Sequence, residues 1–172
     1  MLEFYTNPMS RGRMVRWFLE EIGVPYEDRI VPYGTKMKAP DFLGINPMGK
    51  VPAIRHDGQV VTEVGGIIAY LADTFPEAGL SPRENERAAY FRWMFFAAGP
   101  REQAVTTASL GWKPDDNQSR MLGFGNLELT LETLAARLAE VPFVCGERFT
   151  AADVFVGSHI DFGLKFKTMP QR

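Results

Sequence analysis

Apolar and polar residues alternate at the start of the chain: Leu2 and Phe4 are set off by Glu3 and Tyr5, a period of two that predicts a short strand. The period then lengthens. Met14, Trp17, Phe18 and Ile22 recur at helical spacing over residues 11–22, and Gly23 supplies the left-handed stop such a helix favours. Residues 25–31 read as a second strand. Two strands joined by a helical crossover run parallel, so this pair is expected to be parallel. Residues 33–43 are irregular, with one helical turn at Asp41-Phe42-Leu43. Ala53-Ile54-Arg55 and Gln59-Val60-Val61 flank Asp57-Gly58, the strongest short hairpin signal in the chain. Val64, Ile67, Ile68, Leu71 and Phe75 form the next helical stripe.

Residues 76–82 carry Pro76, Gly79, Ser81 and Pro82 and read as a linker. Beyond it the pattern is purely helical. Tyr90, Phe91, Met94, Phe95 and Ala98 mark one helix, which Gly99-Pro100 should kink or interrupt. Residues 110–118 read as a polar, proline-containing loop. Leu127, Leu131, Leu134 and Leu138 form a clean stripe. Thr150-Ala151-Ala152-Asp153 is a capping-box variant ahead of Val154, Phe155 and Ile160. No internal repeat or low-complexity tract is expected.

Composition narrows the classes. The 172 residues suffice for one domain or two small ones, and 45% hydrophobic content is enough for a core. A net charge of -2 gives no broad electrostatic footprint for nucleic acid. No apolar run reaches the roughly 18 residues a membrane helix needs, and the acidic Leu-Glu-Phe-Tyr start does not read as a signal peptide. The single Cys145 leaves no internal disulfide and no CxxC pair, so a reducing, cytoplasmic location is expected. His56 and His159 have no carboxylate or thiolate at ligand spacing, and no metal is expected. Cys145 precedes Gly146 in a loop and reads as an inert thiol.

The stretch Asn46-Pro47-Met48-Gly49-Lys50-Val51-Pro52-Ala53-Ile54 carries the most information. Pro52 stands at the entry of a short strand, where it cannot donate to the ladder. X-Pro bonds are the ones that adopt cis at low cost. A turn that aims the Val51 backbone outward suits strand-style pairing with a peptide-like ligand.

With Leu2-Glu3-Phe4-Tyr5, Asn7-Pro8-Met9-Ser10-Arg11, Thr62-Glu63 and Phe149-Thr150-Ala151-Ala152-Asp153, this stretch resembles the glutathione transferase family. The resemblance covers essentially the whole chain, in order. It implies an α/β thioredoxin-like domain at residues 1–76, followed by an all-α helical-bundle domain at residues 83–172, with a C-terminus shorter than the family's. It also implies a cis Val51-Pro52 bond, a homodimer, and glutathione as cosubstrate for attack on a small hydrophobic electrophile.

A free thiol ionises near about pH 8.5, so little of it is nucleophilic at neutral pH. A hydroxyl donor at a helix N-terminus lowers that value through a charge-assisted hydrogen bond and the helix dipole. Ser10 stands where the family has Tyr, Ser or Cys; it also fits the ordinary task of capping a helix. Tyr5 and Thr6 are rival hydroxyls. Arg11 and Arg13 assist or are simply solvated. Glu63 suits the γ-glutamyl ammonium of glutathione, and free helix N–H groups suit its carboxylate. Val64 replaces the serine often found after that acid. Val51 and Pro52 would hold the cysteinyl unit, and Lys38 or Lys50 the glycyl carboxylate. Phe95, Phe96 and Trp112 are candidates for the acceptor pocket, against the ordinary reading of such aromatics as core. Asp153 is assigned to folding. The rival activities are a glutathione-dependent thiol reductase or peroxidase, which would favour Cys at Ser10, and a non-catalytic binding or interaction module.

Overall fold

The first strand pairs with two others. In the computed structural model, which describes residues 1–168, β1 (Leu2–Thr6) lies parallel to β2 (Glu27–Ile30) and antiparallel to β3 (Ala53–His56). The hairpin partner β4 (Gln59–Thr62) completes a sheet of order β2-β1-β3-β4. Asp57 and Gly58 both take positive φ, 48° and 84°, as a two-residue turn matched to strand twist requires. Helix α1 (Gly12–Ile22) makes the crossover and ends on Gly23 at φ 68°. It begins one residue later than the expected 11–22, because Arg11 is its N-cap. A 3-10 turn at Lys36–Lys38 and the single-turn helix α2 (Pro40–Leu43) follow β2, and α3 (Val64–Thr74) follows β4. The Val51–Pro52 bond is cis, as expected.

Alternation divides the sheet. Leu2, Phe4 and Ile54 are buried on one face with Met14, Val15, Phe18 and Leu19 of α1 and Ile67, Ile68 and Leu71 of α3. Arg16 of α1 lies 5.4 Å from the Phe4 ring centroid, which fixes α1 on this face. Tyr5 and Glu3 point the other way. There Val31, Met37 and Phe42 form a second, small cluster with Tyr5, Ile45 and Val51.

The chain divides into two compact units between Ser81 and Pro82. Among its described residues the second has helices and no strand, only an isolated bridge between Phe143 and Gly146. It comprises α4 (Arg87–Phe96), a π-helical segment (Ala97–Arg101), α5 (Glu102–Ser109), α6 (Asp116–Met121), α7 (Leu127–Glu140) and α8 (Ala151–Lys165). Pro100 has no N–H to donate, and the π segment is where the α4–α5 ladder absorbs that gap. The loop expected at residues 110–118 is shorter than that. Asp115 caps α6 by accepting from Asn117 N and Gln118 N, and the Gln118 side chain returns to Asp115 N. This reciprocal box starts a helix that has no apolar stripe to announce it. Residues 169–172, the end of the expected helical domain, lie outside the described residues. No described helix is long and apolar enough to cross a membrane.

One ion pair in this unit has a pH signature. Glu86 accepts from Arg83 N at 2.7 Å and from the Arg148 guanidinium, and the Arg148 hydrogen bond holds its carboxyl below the usual range. A depressed carboxyl pKa adds stability that is fully present above pH 4.5, the group's ordinary value, and is lost as pH falls through the lower folded value. Glu86→Gln is therefore expected to destabilise the chain at neutral pH. It should also flatten the fall of the urea midpoint on acidification below pH 4.5. Parallel acid limbs in variant and wild type would reassign the acid sensitivity to another carboxylate.

Candidate functional site

The register brings three segments to one end of the sheet. Tyr5 pairs with Ala53, and Ala53 with Thr62, so the chain after β1, before β3 and after β4 converges there. These are the segments of Ser10, of Val51-Pro52 and of Glu63-Val64. Helices α1 and α3 both begin at this end.

The first loop is built around Asn7. Its side-chain amide donates to Val31 O at 3.1 Å, its Oδ1 accepts from Met9 N at 3.0 Å, and its carbonyl accepts from Ser10 N at 2.9 Å. The segment before β3 repeats the device. Asn46 Nδ2 donates to Lys50 O at 2.8 Å, its Oδ1 accepts from Met48 N at 3.0 Å, and its carbonyl accepts from Gly49 N at 2.7 Å. Both are Asn-Pro-Met turns with proline second, where its fixed φ fits, and an asparagine side chain that mimics a turn. Both asparagines are buried. These architects were not foreseen as functional, although the letters Asn-Pro-Met stand twice in the sequence at 7–9 and 46–48.

Ser10 is 7% exposed, and its hydroxyl is occupied. Oγ donates to Asn7 O at 2.7 Å and accepts from Gly12 N at 3.0 Å. These two bonds tie the loop to the start of α1. Its proton reaches another acceptor only by leaving the Asn7 carbonyl. Gly12 allows the tight approach: a Cβ there would fall 2.1 Å from Thr6 Oγ1 and 3.0 Å from Ser10 Oγ.

Val51 is half-buried, its side chain in the small second cluster. No hydrogen bond among the described residues uses its backbone N–H or C=O. Lys38 Nζ donates to Met48 O at 2.9 Å and Gly49 O at 3.1 Å, clamping the turn that leads to Val51. Gly49, at φ 57°, is required there, since a Cβ would meet Lys38 Nζ at 2.8 Å and Met37 O at 2.9 Å. Lys50 is exposed.

Glu63 has φ 67° and ψ 124°, outside the regions a residue with a side chain favours. It is exposed and gives α3 no side-chain cap, although its carbonyl accepts from Ile67 N at 2.8 Å. Such outliers persist where the surroundings impose them, and they cluster at ligand sites. Val64 is half-buried and adds only its backbone N–H to the first turn.

The remaining candidates lie in the helical unit. Phe95 is 73% exposed and Trp112 42%, so the ordinary expectation of core does not hold for them. Phe96 is half-buried, its ring 5.1 Å from Trp93. Cys145 is half-buried, its Sγ 3.4 Å from Thr150 Oγ1, and burial pushes its thiol pKa up, the opposite of an activated nucleophile. His56 Nδ1 lies 3.0 Å from Tyr70 Oη, and His159 Nδ1 3.6 Å from Glu102. Among the described residues, no group of His, Cys, Asp and Glu could hold a metal ion.

The comparisons agree with this architecture. Residues 9–74 match the family model for the glutathione S-transferase N-terminal domain. The chain is 29% identical over 119 residues to glutathione S-transferase GstA of Escherichia coli O157:H7, a match that covers 67% of this chain and 58% of that protein. The chain thus spans a little over half of this relative's length. It is also 29% identical to the disulfide-bond oxidoreductase YfcG of Escherichia coli K12, over 90% of this chain and 76% of that one. Among solved structures, a glutathione transferase from Methylococcus capsulatus superposes with a TM-score of 0.77 at 30% identity, covering 97% of this chain and 84% of that one. A glutathione transferase homologue from Sulfitobacter with bound glutathione superposes with a TM-score of 0.69 at 25% identity, covering 98% and 88%. Fold, segment order and these likenesses lead to one conclusion: the chain belongs to the glutathione transferase family.

Proposed function

We propose that the chain binds glutathione at this sheet end and presents its sulfur, as thiolate, to a small apolar electrophile. The observation that carries the reading is the open Val51 backbone beside cis-Pro52, flanked at the same end by Ser10 and Glu63. The Val51 N–H and C=O pair with the cysteinyl unit as one strand pairs with another. The Glu63 carboxylate meets the γ-glutamyl ammonium, and the first N–H groups of α3, at Val64 and beyond, receive the γ-glutamyl carboxylate. Lys50 suits the glycyl carboxylate better than Lys38, which already commits two of its three N–H donors to the Gly49 turn. The thiol proton leaves to solvent. The sulfur lone pair then forms a bond to the electrophilic carbon, and the leaving group departs with its electron pair. Phe95, Phe96 and Trp112 belong to the proposal as apolar acceptor contacts. So does a cytoplasmic location, where glutathione is reduced.

Ser10 sets the size of the thiolate effect. To donate to sulfur, its hydroxyl gives up the Asn7 carbonyl. A hydrogen bond to a charged group contributes about 1.5–3 kcal/mol and a neutral one about 0.5–1.5, so the exchange gains about 1–1.5 kcal/mol. That equals about one pKa unit. Ser10→Ala is expected to lower conjugation of 1-chloro-2,4-dinitrobenzene about tenfold below the thiol pKa, with the rate–pH inflection moved up by about one unit. Retention on immobilised glutathione should change little. An unmoved inflection would shift activation to another hydroxyl, with Tyr5 next.

The likeness to a disulfide-bond oxidoreductase favours a second reading, in which the bound thiolate attacks a disulfide sulfur. Ser10 cannot form a mixed disulfide, so that chemistry would run on glutathione's own sulfur. Reduction of hydroxyethyl disulfide without conjugation of the chloroarene would select it.

A homodimer belongs to the same proposal. Phe91 and Phe95, 45% and 73% exposed, stand one turn apart on α4 and offer an apolar contact for a second copy. Light scattering should give a mass near twice 19.3 kDa. A mass of 19.3 kDa at assay concentration would count against it.

A further inference from the structure

We propose that Asn7 is a positioning residue for the thiolate: its side-chain amide holds the Ser10 hydroxyl in register with the Val51 backbone, and the ionisation of bound glutathione depends on that register. The inference rests on the glutathione reading of the site.

That reading draws its two working parts from separate segments. The cysteinyl unit is assigned to the Val51 backbone and its sulfur to the Ser10 hydroxyl. Their separation decides whether the hydroxyl reaches the sulfur, because a hydrogen bond weakens steeply with misalignment. One side chain joins the two parts through a third segment. Asn7 Nδ2 donates to Val31 O at 3.1 Å, and Val31 belongs to the cluster against which Val51 packs.

The strand register shows why this bond is needed. Thr6 stands opposite Ile30, so Asn7 falls opposite Val31. In a parallel ladder, a residue that donates to the position before its partner accepts from the position after it. Val31 N donates to Thr6 O at 2.8 Å, which leaves Val31 O to the N–H of residue 8. Residue 8 is Pro8 and has none. The Asn7 amide supplies the missing rung from the side chain, and the bond is buried, so the carbonyl relies on it.

The same residue gives the hydroxyl its resting place. The Asn7 carbonyl accepts from Ser10 N at 2.9 Å and from Ser10 Oγ at 2.7 Å. When the hydroxyl turns to sulfur, the carbonyl keeps the Ser10 N–H and is not orphaned. Ser10 Oγ keeps the Gly12 N–H that it accepts. The switch is a rotation of one O–H about the Cβ–Oγ bond. Asn7 Oδ1, accepting from Met9 N at 3.0 Å, holds the loop in which that rotation takes place.

The test reads the ionisation of glutathione from the ultraviolet absorbance of the bound thiolate against pH, beside the pH–rate profile for 1-chloro-2,4-dinitrobenzene. Asn7→Ser keeps an oxygen that accepts from Met9 N but does not reach Val31 O. It is expected to move the thiol pKa up by about half a unit to one unit, bounded by the whole Ser10 effect, and to lower turnover about three- to tenfold below that pKa. KM for glutathione should stay within about twofold, because Val51 and Glu63 are untouched. Asn7→Ser with Pro8→Ala restores a backbone donor for Val31 O and should bring the pKa back towards the wild-type value. Asn7→Ser with Ser10→Ala should titrate as Ser10→Ala alone, since the group it positions is gone. Urea midpoints keep every assay within the folded range of its variant. A merely structural residue would lower those midpoints and leave the pKa in place. An unmoved pKa in Asn7→Ser, no return with Pro8→Ala, or a full additional shift on Ser10→Ala would each overturn the proposal. If the wild type binds no glutathione, the reading of the site fails and this inference with it. If the wild type holds a thiolate and Asn7→Ser titrates as it does, this inference alone fails.

Discussion

Asp153→Ala is expected to lower stability by about 3–5 kcal/mol, through two buried N–H groups left without acceptors and a lost helix cap. Asp153 Oδ1 accepts from Val144 N at 2.7 Å. Its Oδ2 accepts from Thr150 N at 2.8 Å and from Thr150 Oγ1 at 2.9 Å. Val144 is 1% exposed and Thr150 0%, so water does not replace the carboxylate without rearrangement. The same groups tie the loop before α8 to α7, because Arg137 Nε donates to Val144 O at 3.0 Å. A domain is stable by only about 5–15 kcal/mol, so this single change removes a large share. Asp153→Asn keeps one acceptor oxygen and should lose about half as much. Urea unfolding followed by circular dichroism measures both. A loss under about 1 kcal/mol would mean that the loop moves to satisfy Val144 by another route.

This box was legible because its chemistry is local: Thr-x-x-Asp ahead of an apolar run specifies a helix start whatever surrounds it. The Asp57-Gly58 hairpin was legible for the same reason, since its turn demands positive φ at both residues. The Asp115-x-x-Gln118 box is just as local. It was hidden by Pro114 and by a polar α6 whose six residues carry no stripe. The end of the sheet that gathers Ser10, Val51 and Glu63 followed from strand order, itself readable from the crossover and the hairpin. Side-chain partners within it were not. Nothing in the letters tells that the Ser10 hydroxyl rests on the Asn7 carbonyl, or that Lys38 closes on the Gly49 turn, because both depend on where a carbonyl points after folding. The paired Asn-Pro-Met turns form no periodic array: the triplet recurs once and builds loops. For Phe95 spacing leaves two readings open, acceptor contact or core, and its 73% exposure removes the second. A period of 3.6 identifies a face of a helix but not what covers it.

Glu63→Gly should move stability and glutathione affinity in opposite directions. A side chain held at φ 67° and ψ 124° costs about 1–3 kcal/mol, part of which glycine recovers. Glycine also loosens the unfolded chain, a cost of about 0.4–1 kcal/mol. The balance is a gain of about 0.5–1 kcal/mol in unfolding free energy. The same substitution removes the carboxylate proposed for the γ-glutamyl ammonium. The loss of one charged hydrogen bond, about 1.5–3 kcal/mol, raises the Kd for glutathione about ten- to a hundredfold. Val64 has no hydroxyl with which to compensate. Glu63→Ala separates the two effects: it keeps the strained backbone and so gains no stability, but it loses affinity as the glycine variant does. Calorimetry gives the affinities and urea midpoints the stabilities. A glutathione analogue without the γ-glutamyl amine should bind the wild type as weakly as glutathione binds either variant. Equal wild-type affinity for glutathione and the analogue would reduce Glu63 to a charge at a helix end. A fall in stability with glycine would show that its neighbours, through contacts with the Glu63 side chain, more than compensate for the backbone conformation.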